Sequence, residues 1–146
     1  MLLAVAVLVA ANVWWFFLRA PAPREPDFEL GAWGGESIPV SSELLAASPS
    51  FDSAHHRWTL NGRAVNDLRP LLRSTGEQTD TAEVVDYLPV RLSDDFGATQ
   101  MRLALLTLVR KRICHVALID AGAEKAPVHR IVSVRDGQGQ LHSCKP

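Results

Sequence analysis

The chain has 146 residues, of which 47% are hydrophobic, with 15 basic and 16 acidic side chains. Its apolar residues are concentrated at the start, where 17 of the first 18 are apolar, and no second run of that length follows. The other 128 residues include 52 apolar ones, about 41%, near the composition of a globular domain. This distribution excludes a polytopic membrane protein, a disordered chain and a collagen-like chain, and indicates one membrane segment and one small domain.

Charge and cysteine content give no support to several further classes. Residues 51–146 carry thirteen basic and eleven acidic side chains, a net charge of about +2, whereas nucleic-acid-binding domains present a dense basic surface. Two cysteines are too few for a disulfide scaffold or for a four-thiolate zinc site. We expect no nucleic-acid partner and no cofactor.

Residues 1–19 are typical of a transmembrane anchor. As a helix, the first 18 residues span roughly 27 Å, close to a bilayer core of about 30 Å. Trp14 and Trp15 stand near the end of this segment, Arg19 follows as a snorkelling cation, and Asn12 is its single polar residue. A cleaved signal peptide is the alternative, but the segment lacks a basic start and small residues at a cleavage site. We therefore predict an uncleaved anchor.

Residues 20–53 are interpreted as a tether, because five prolines and three glycines interrupt any regular pattern. Phe28 and Trp33 are candidate docking points onto a partner or onto the domain, with chance surface aromatics as the favoured interpretation. The folded domain is predicted to occupy residues 54–146.

This domain is predicted to be α+β, with two helices and a small mixed sheet. Residues 57–60 form a strand by pattern, and Asn61 and Gly62 are a strong turn signal. Apolar residues at helical spacing over 65–72 predict a first helix. The remaining predicted elements are a strand over 84–92, a helix from a cap at 93–95 to about residue 112, a strand over 113–119, and a hairpin of 128–134 with 141–144. The predicted order is β-α-β-α-β followed by the hairpin.

The strand–helix–strand stretch over residues 91–118 follows a known family pattern. Residues 91–95 lead into the helical stretch 101–110, which passes without a gap into the apolar strand 112–118. Residues 58–65, with the sequence WTLNGRAV, precede a further run of leucines. Together, residues 55–119 resemble the periplasmic domain of the ExbD/TolR family, in which a strand, an N-G turn and a helix precede the same arrangement. An N-terminal anchor and a proline-rich tether agree with that architecture.

The resemblance implies a non-catalytic envelope protein of the bacterial inner membrane with a periplasmic domain. It implies a stator-type or accessory subunit of a biopolymer transport complex driven by the proton motive force. Its implied partners are a second copy in a homodimer, an ExbB/TolQ-like channel subunit and a TonB/TolA-like transducer, with strand addition at exposed sheet edges.

Two departures from the family pattern modify this expectation. No carboxylate lies within residues 1–19, where the family carries a proton-binding aspartate, and Arg112 stands where the family has glycine. Asn12 cannot titrate in place of the aspartate. We therefore expect a member that does not conduct protons by the usual route, or a gene whose start lies upstream of Met1.

A membrane-anchored protein-binding or scaffold domain unrelated to motors is the alternative function. Arg19 and Arg24 follow the apolar segment and no basic residue precedes it, so the positive-inside rule favours a domain that faces the cytoplasm. The sequence alone therefore leaves open on which side of the membrane the folded domain lies.

Cys114 and Cys144 form a disulfide if strand pairing brings their Cα atoms within about 4.4–6.8 Å. A buried free Cys114 with an exposed Cys144 is an equal alternative. His142 could join the two cysteines around a metal, but no closely spaced ligand pair supports such a site.

The remaining polar residues have ordinary interpretations. Asp94 and Asp95 precede a helix and are expected to cap it rather than form an acid–base pair. Ser93, His115 and Asp120 are the residue types of a catalytic triad, yet no nucleophile elbow surrounds any serine. The basic residues 110–112 end a helix, where cations complement its dipole, with a partner-binding cluster as the alternative. No catalytic, cofactor or metal site is predicted.

Overall fold

The computed structural model describes residues 26–75, 84–93, 96–120 and 122–144. These residues form a mixed α+β domain with two α-helices, which confirms the predicted class but not the predicted order of elements. The elements in chain order are β1 (Phe28–Pro39), α1 (Ser42–Ala47), β2 (Ser50–Asp52), β3 (Arg57–Leu60), β4 (Arg63–Val65), a 3-10 turn (Arg69–Leu71), β5 (Arg73–Ser74), β6 (Asp86–Arg91), α2 (Ala98–Arg110), β7 (His115–Ile119), β8 (Lys125–Arg135) and β9 (Leu141–Ser143).

The main sheet has six strands in the order β1-β8-β7-β6-β5, and β9 also pairs with β8. Strands β6 and β7 are parallel, from Leu88 opposite Val116 onward, and helix α2 makes the crossover that parallel neighbours require. Leu105 and Leu108 of α2 are fully buried against one face of the sheet. The opposite face carries a second apolar cluster of Tyr87, Ala117 and Val128, against which Trp33 and Ile38 pack.

Helix α2 was predicted from its apolar spacing, and its body is confirmed, but its predicted cap is wrong. The helix starts at Ala98 with Gly97 as N-cap, and the carbonyl of Ser93 instead accepts the amide of Phe96 in a preceding turn (2.9 Å). Asp94 and Asp95 lie outside the described residues.

A smaller sheet of β2, β3 and β4 packs against α2. The predicted turn is confirmed, since Asn61 and Gly62 adopt φ values of 51° and 77° in a two-residue hairpin loop. Buried Trp58 donates its indole Nε1–H to Thr107 Oγ1 (2.7 Å), and that hydroxyl donates to the carbonyl of Ala104 (2.7 Å). This chain of hydrogen bonds ties the small sheet to the helix.

The first helix predicted over residues 65–72 is wrong. The stretch instead finishes β4 at Val65 and makes one 3-10 turn, with Pro70 within its first turn. The side chain of Asp67 accepts the amide of Arg69 (3.0 Å), a local bond that competes with helix formation. Leu68 is nevertheless fully buried, because the single 3-10 turn that follows it is enough to direct its side chain into the core.

The tether predicted over residues 20–53 is wrong from residue 28 on. Strand β1 pairs antiparallel with β8 from Phe28 opposite Val134 to Pro39 opposite Lys125, with two irregularities in register. Gly31 lies under Val132, whose Cγ2 would approach a Cβ at that position to 3.3 Å. The glycine therefore allows the two strands to approach closely, and it does not mark a flexible linker. Phe28 and Trp33 pack against the core clusters, so they are not chance surface aromatics.

The predicted anchor falls outside the described residues, together with Asn12, Trp14, Trp15 and Arg19. Within the described ranges, no helix is both long and apolar enough to cross a membrane.

Candidate functional site

A disulfide joins the end of β9 to the start of β7. Both strands lie on the same side of β8, whose Ile131 amide donates to the carbonyl of Cys114 (2.8 Å) and whose Val132 carbonyl accepts the amide of Cys144 (3.3 Å). Because β7 and β9 pair with successive parts of β8, the end of β9 meets the start of β7 and the two cysteines lie next to each other. Their Cα atoms are 5.5 Å apart and the S–S bond is 2.12 Å. The sequence left open either a disulfide or a buried free Cys114 with an exposed Cys144, and the structure contains the disulfide.

His142 does not join the cysteines around a metal, since both sulfurs are bonded to each other. Its Nε2 lies 2.9 Å from Asp136 Oδ2, in the loop that connects β8 to β9. The other carboxylate oxygen of Asp136 accepts the amides of Gln138 and Gln140 (2.9 Å each). The hydrogen bond from His142, followed by those from the two amides, holds the pKa of Asp136 below its usual value. This cluster fixes the turn of the hairpin.

A cleft of about 500 Å³ opens beside the disulfide, where β6 and β7 begin. Because their pairing starts only at Leu88 and Val116, the residues before them diverge and leave a wedge between 84–86 and 112–115. We call this wedge the arginine cleft. It is lined by Trp33, Leu72, Val84, Val85, Asp86, Arg112, Ile113, Cys114, His115 and Arg130.

Arg112 reaches the cleft because helix α2 ends in a left-handed residue. Its φ is 60°, its amide donates to the carbonyl of Val109 (3.0 Å), and the next amide, of Ile113, donates to the carbonyl of Leu108 (3.0 Å). These two bonds define a Schellman turn, whose left-handed position is most often glycine. The left-handed position of this turn is thus held by an arginine.

Trp33 forms an aromatic wall of the cleft with His115. The pairing of β1 with β8 shifts register between Ala32 and Ser37, so Trp33 leaves the ladder and reaches across β8. Its ring lies edge-on to the imidazole of His115, with centroids 4.7 Å apart and planes at 68°. Arg130 pairs with His115 across β7 and β8 and also lines the cleft.

A second cleft of about 290 Å³ adjoins the first and shares Arg112 and Ile113 with it. We call it the helix-end cleft; its other lining residues are Asp67, Leu68, Arg69, Arg110 and Lys111. Lys111 Nζ donates to the carbonyl of Asn66 (2.7 Å), which draws the end of α2 to the 3-10 turn. The basic residues 110–112 therefore border a concavity as well as ending a helix.

The residue types of a triad are not brought together. His115 begins β7 and Asp120 follows its end, a separation of about 16 Å at the rise of an extended strand. Ser93 lies at the end near Asp120, since the amide of the preceding Leu92 donates to the carbonyl of Ile119 (2.9 Å). The imidazole and the serine hydroxyl are thus at opposite ends of the sheet.

Sequence reasoning missed Arg130 and the pairing of Trp33 with His115. Arg130 is one exposed residue of an alternating strand, and nothing in its local sequence distinguishes it. Trp33 was considered as a docking point, and the register shift that aims it depends on the pairing of β1 with β8.

Chemically, the arginine cleft combines apolar walls with two guanidinium groups, which bind carboxylate or phosphate oxygens in a bidentate manner. No family model, curated protein or solved structure matches this chain.

Proposed function

We propose that this chain is a membrane-anchored, non-catalytic envelope protein similar to the ExbD/TolR family, with its folded domain outside the cytoplasm. In this proposal it is a stator-type or accessory subunit of a transport complex coupled to the proton motive force. The observation that carries the placement is the Cys114–Cys144 disulfide. Disulfides persist in oxidising compartments and are rare in the reducing cytosol.

The disulfide bears on the conflict over orientation. By the positive-inside rule, Arg19 and Arg24 favour a cytoplasmic domain. These two arginines are the observation that supports the alternative, a scaffold that faces the cytoplasm. Both cysteines are buried, at 6% and 5% exposure, and β8 holds their backbones in line. A bond built into the core in this way supports an oxidising environment during folding.

Strand β1 supports a binding role. It is twelve residues long, it forms one edge of the main sheet, and no other strand in the described ranges pairs with its outer side. An open edge of this kind allows strand addition by a second copy or by an extended partner segment. The proposed partners remain a homodimer mate, an ExbB/TolQ-like channel subunit in the membrane and a TonB/TolA-like transducer outside it.

A pair of reporters fused after Pro146 tests the placement. Alkaline phosphatase folds to an active enzyme only outside the cytoplasm, whereas green fluorescent protein exported in unfolded form stays dark. We expect an active phosphatase fusion and a dark fluorescent fusion in a Gram-negative host. A bright fluorescent fusion with an inactive phosphatase would support the cytoplasmic scaffold instead.

Co-purification tests the motor role separately. The full chain, extracted in mild detergent, is expected to retain a multi-helix channel subunit identified by mass spectrometry. The matched control carries the same domain on an unrelated single-pass anchor, which we expect to lose that subunit. If the native chain retains no channel-type subunit, the motor role is wrong, whatever the reporters show.

A further inference from the structure

We infer that the arginine cleft and the helix-end cleft together bind an acidic segment of a partner protein that also carries a large apolar side chain. This deepens the proposed function, and it rests on that proposal for the premise that the domain works by binding another protein. The apolar side chain would enter the arginine cleft, and carboxylates on either side of it would meet the guanidinium groups.

Charge is the first observation that supports this partner. The residues that line the two clefts include five basic and two acidic side chains, a formal charge of +3 in a chain whose net charge is -1. Both acidic side chains already accept a hydrogen bond from a nearby group of the same chain. Asp67 accepts one from the amide of Arg69, and Asp86 accepts one from the hydroxyl of Ser74 (2.5 Å). Within the described part of the chain, neither Arg112 nor Arg130 is in an ion pair. Both guanidinium groups are therefore available to an external carboxylate.

The apolar walls are the second observation. Trp33, Leu72 and Ile113 line the arginine cleft together with Val84, which is 53% exposed although it is hydrophobic. A cleft of about 500 Å³ with such walls has room for a large apolar side chain as well as for carboxylates on its rim. A flat basic face would suffice for an anionic membrane surface, so a concave, partly apolar site favours a peptide.

The backbone of Arg112 is the third observation. A left-handed conformation is costly for a residue with a Cβ, and glycine would adopt it freely. Non-glycine residues in such conformations concentrate at binding and catalytic sites. Arg112 also lines both clefts, so a bound segment that passes from one cleft to the other would meet this residue.

Binding is tested on the full chain in a zwitterionic detergent by fluorescence anisotropy with three matched pools of labelled short peptides. The first pool mixes glutamate with phenylalanine, the second replaces phenylalanine with serine, and the third replaces glutamate with lysine. We expect the first pool to bind, the second to bind about tenfold more weakly, and the third not to bind. Absence of binding by the first pool overturns the inference.

Two variants locate the site. Arg112→Gly removes one guanidinium and keeps the left-handed turn, so a loss of binding cannot be assigned to unfolding. Arg130→Gln removes the other at an exposed strand position. Each is expected to weaken the first pool about tenfold, the effect of losing about 1.4 kcal/mol of interaction. Arg63→Gln is the matched control, since Arg63 is exposed and lines neither cleft, and we expect it to bind like the wild type.

Two further outcomes would overturn the inference. Equal binding by the wild type and by both cleft variants would place the peptide elsewhere. Binding to vesicles of phosphatidylglycerol in phosphatidylcholine, reduced by Arg112→Gly while peptides do not bind, would identify a membrane surface instead. A domain that the reporters place outside the cytoplasm but that binds no acidic peptide refutes this inference alone. A cytoplasmic domain that binds the peptides refutes only the proposed placement.

Discussion

Arg112 is expected to lower the stability of the fold and, at the same time, to contribute to the candidate binding site. The Schellman turn at the end of α2 places it at φ 60°, where its Cβ is unfavourable. We predict that Arg112→Gly raises the free energy of unfolding by about 0.5–1 kcal/mol while it weakens peptide binding. Chemical denaturation of the full chain in detergent measures the first effect.

Lys111 provides the control for this prediction, because its φ of -89° suits any residue and its Nζ bonds to Asn66. Lys111→Gly should therefore lower the free energy of unfolding. If Arg112→Gly lowered it as well, the left-handed turn would not be the source of strain.

Trp58 supplies a second prediction at the scale of single residues. Its indole N–H donates to Thr107 Oγ1, and the two residues belong to different layers of the fold. A double-mutant cycle with Trp58→Phe and Thr107→Val is expected to give a coupling energy of about 1 kcal/mol, the usual worth of a hydrogen bond of this kind. Thermal or chemical unfolding of the four proteins measures it, and a coupling near zero would show that the bond does not hold the small sheet to α2.

Among the elements, those with a strong local pattern were predicted and those held by distant partners were not. The apolar stripe of α2, the apolar runs of β6 and β7 and the turn at Asn61 and Gly62 are signals within a few residues. Strand β1 contains glycines and a terminal proline, which argue locally for a linker, and it forms because β8 pairs with both of its ends, over residues 28–32 and 37–39. The helix predicted over residues 65–72 is wrong because the same apolar spacing also fits the end of a strand followed by a single 3-10 turn.

The same division explains the candidate site. Residues 110–112 were recognised as a basic cluster, because they are adjacent in sequence. The cleft itself needs the divergence of β6 from β7, the register shift that aims Trp33, and the placement of Arg130 on β8. Each of these depends on contacts between residues far apart in the chain, which no local pattern encodes.

The hairpin of β8 and β9 makes a prediction about pH. The pKa of Asp136 is lower in the folded chain than its ordinary value of 3.8, chiefly through the bond from His142. Such a carboxylate stabilises the fold above the unfolded value, and the contribution is lost as the pH falls through the folded value. Asp136→Asn should therefore be less stable than the wild type at neutral pH, with a difference that shrinks below pH 3.8. Urea unfolding at a series of pH values tests this, and a difference that persists unchanged in acid would contradict it.

At the scale of the whole molecule, the disulfide closes a loop with a sequence separation of 30 that contains β7, β8 and β9. A cross-link of that span stabilises a fold by about 3 kcal/mol, mainly by restricting the unfolded chain. We predict that the double variant Cys114→Ala with Cys144→Ala loses about this much free energy of unfolding. Guanidinium unfolding under oxidising conditions gives the comparison, and the wild type in reductant should approach the double variant. A double variant as stable as the wild type would show that the bond is not needed to hold the hairpin.

The state of the cysteines in living cells tests directly whether the domain lies outside the cytoplasm, as we propose. Cells that express the full chain are quenched with a thiol-alkylating reagent under denaturing conditions, then reduced and labelled with a second, heavier reagent. We predict that Cys114 and Cys144 carry only the second label, as a native disulfide requires. Both cysteines carrying the first label, in cells whose secreted proteins are fully oxidised, would contradict the placement.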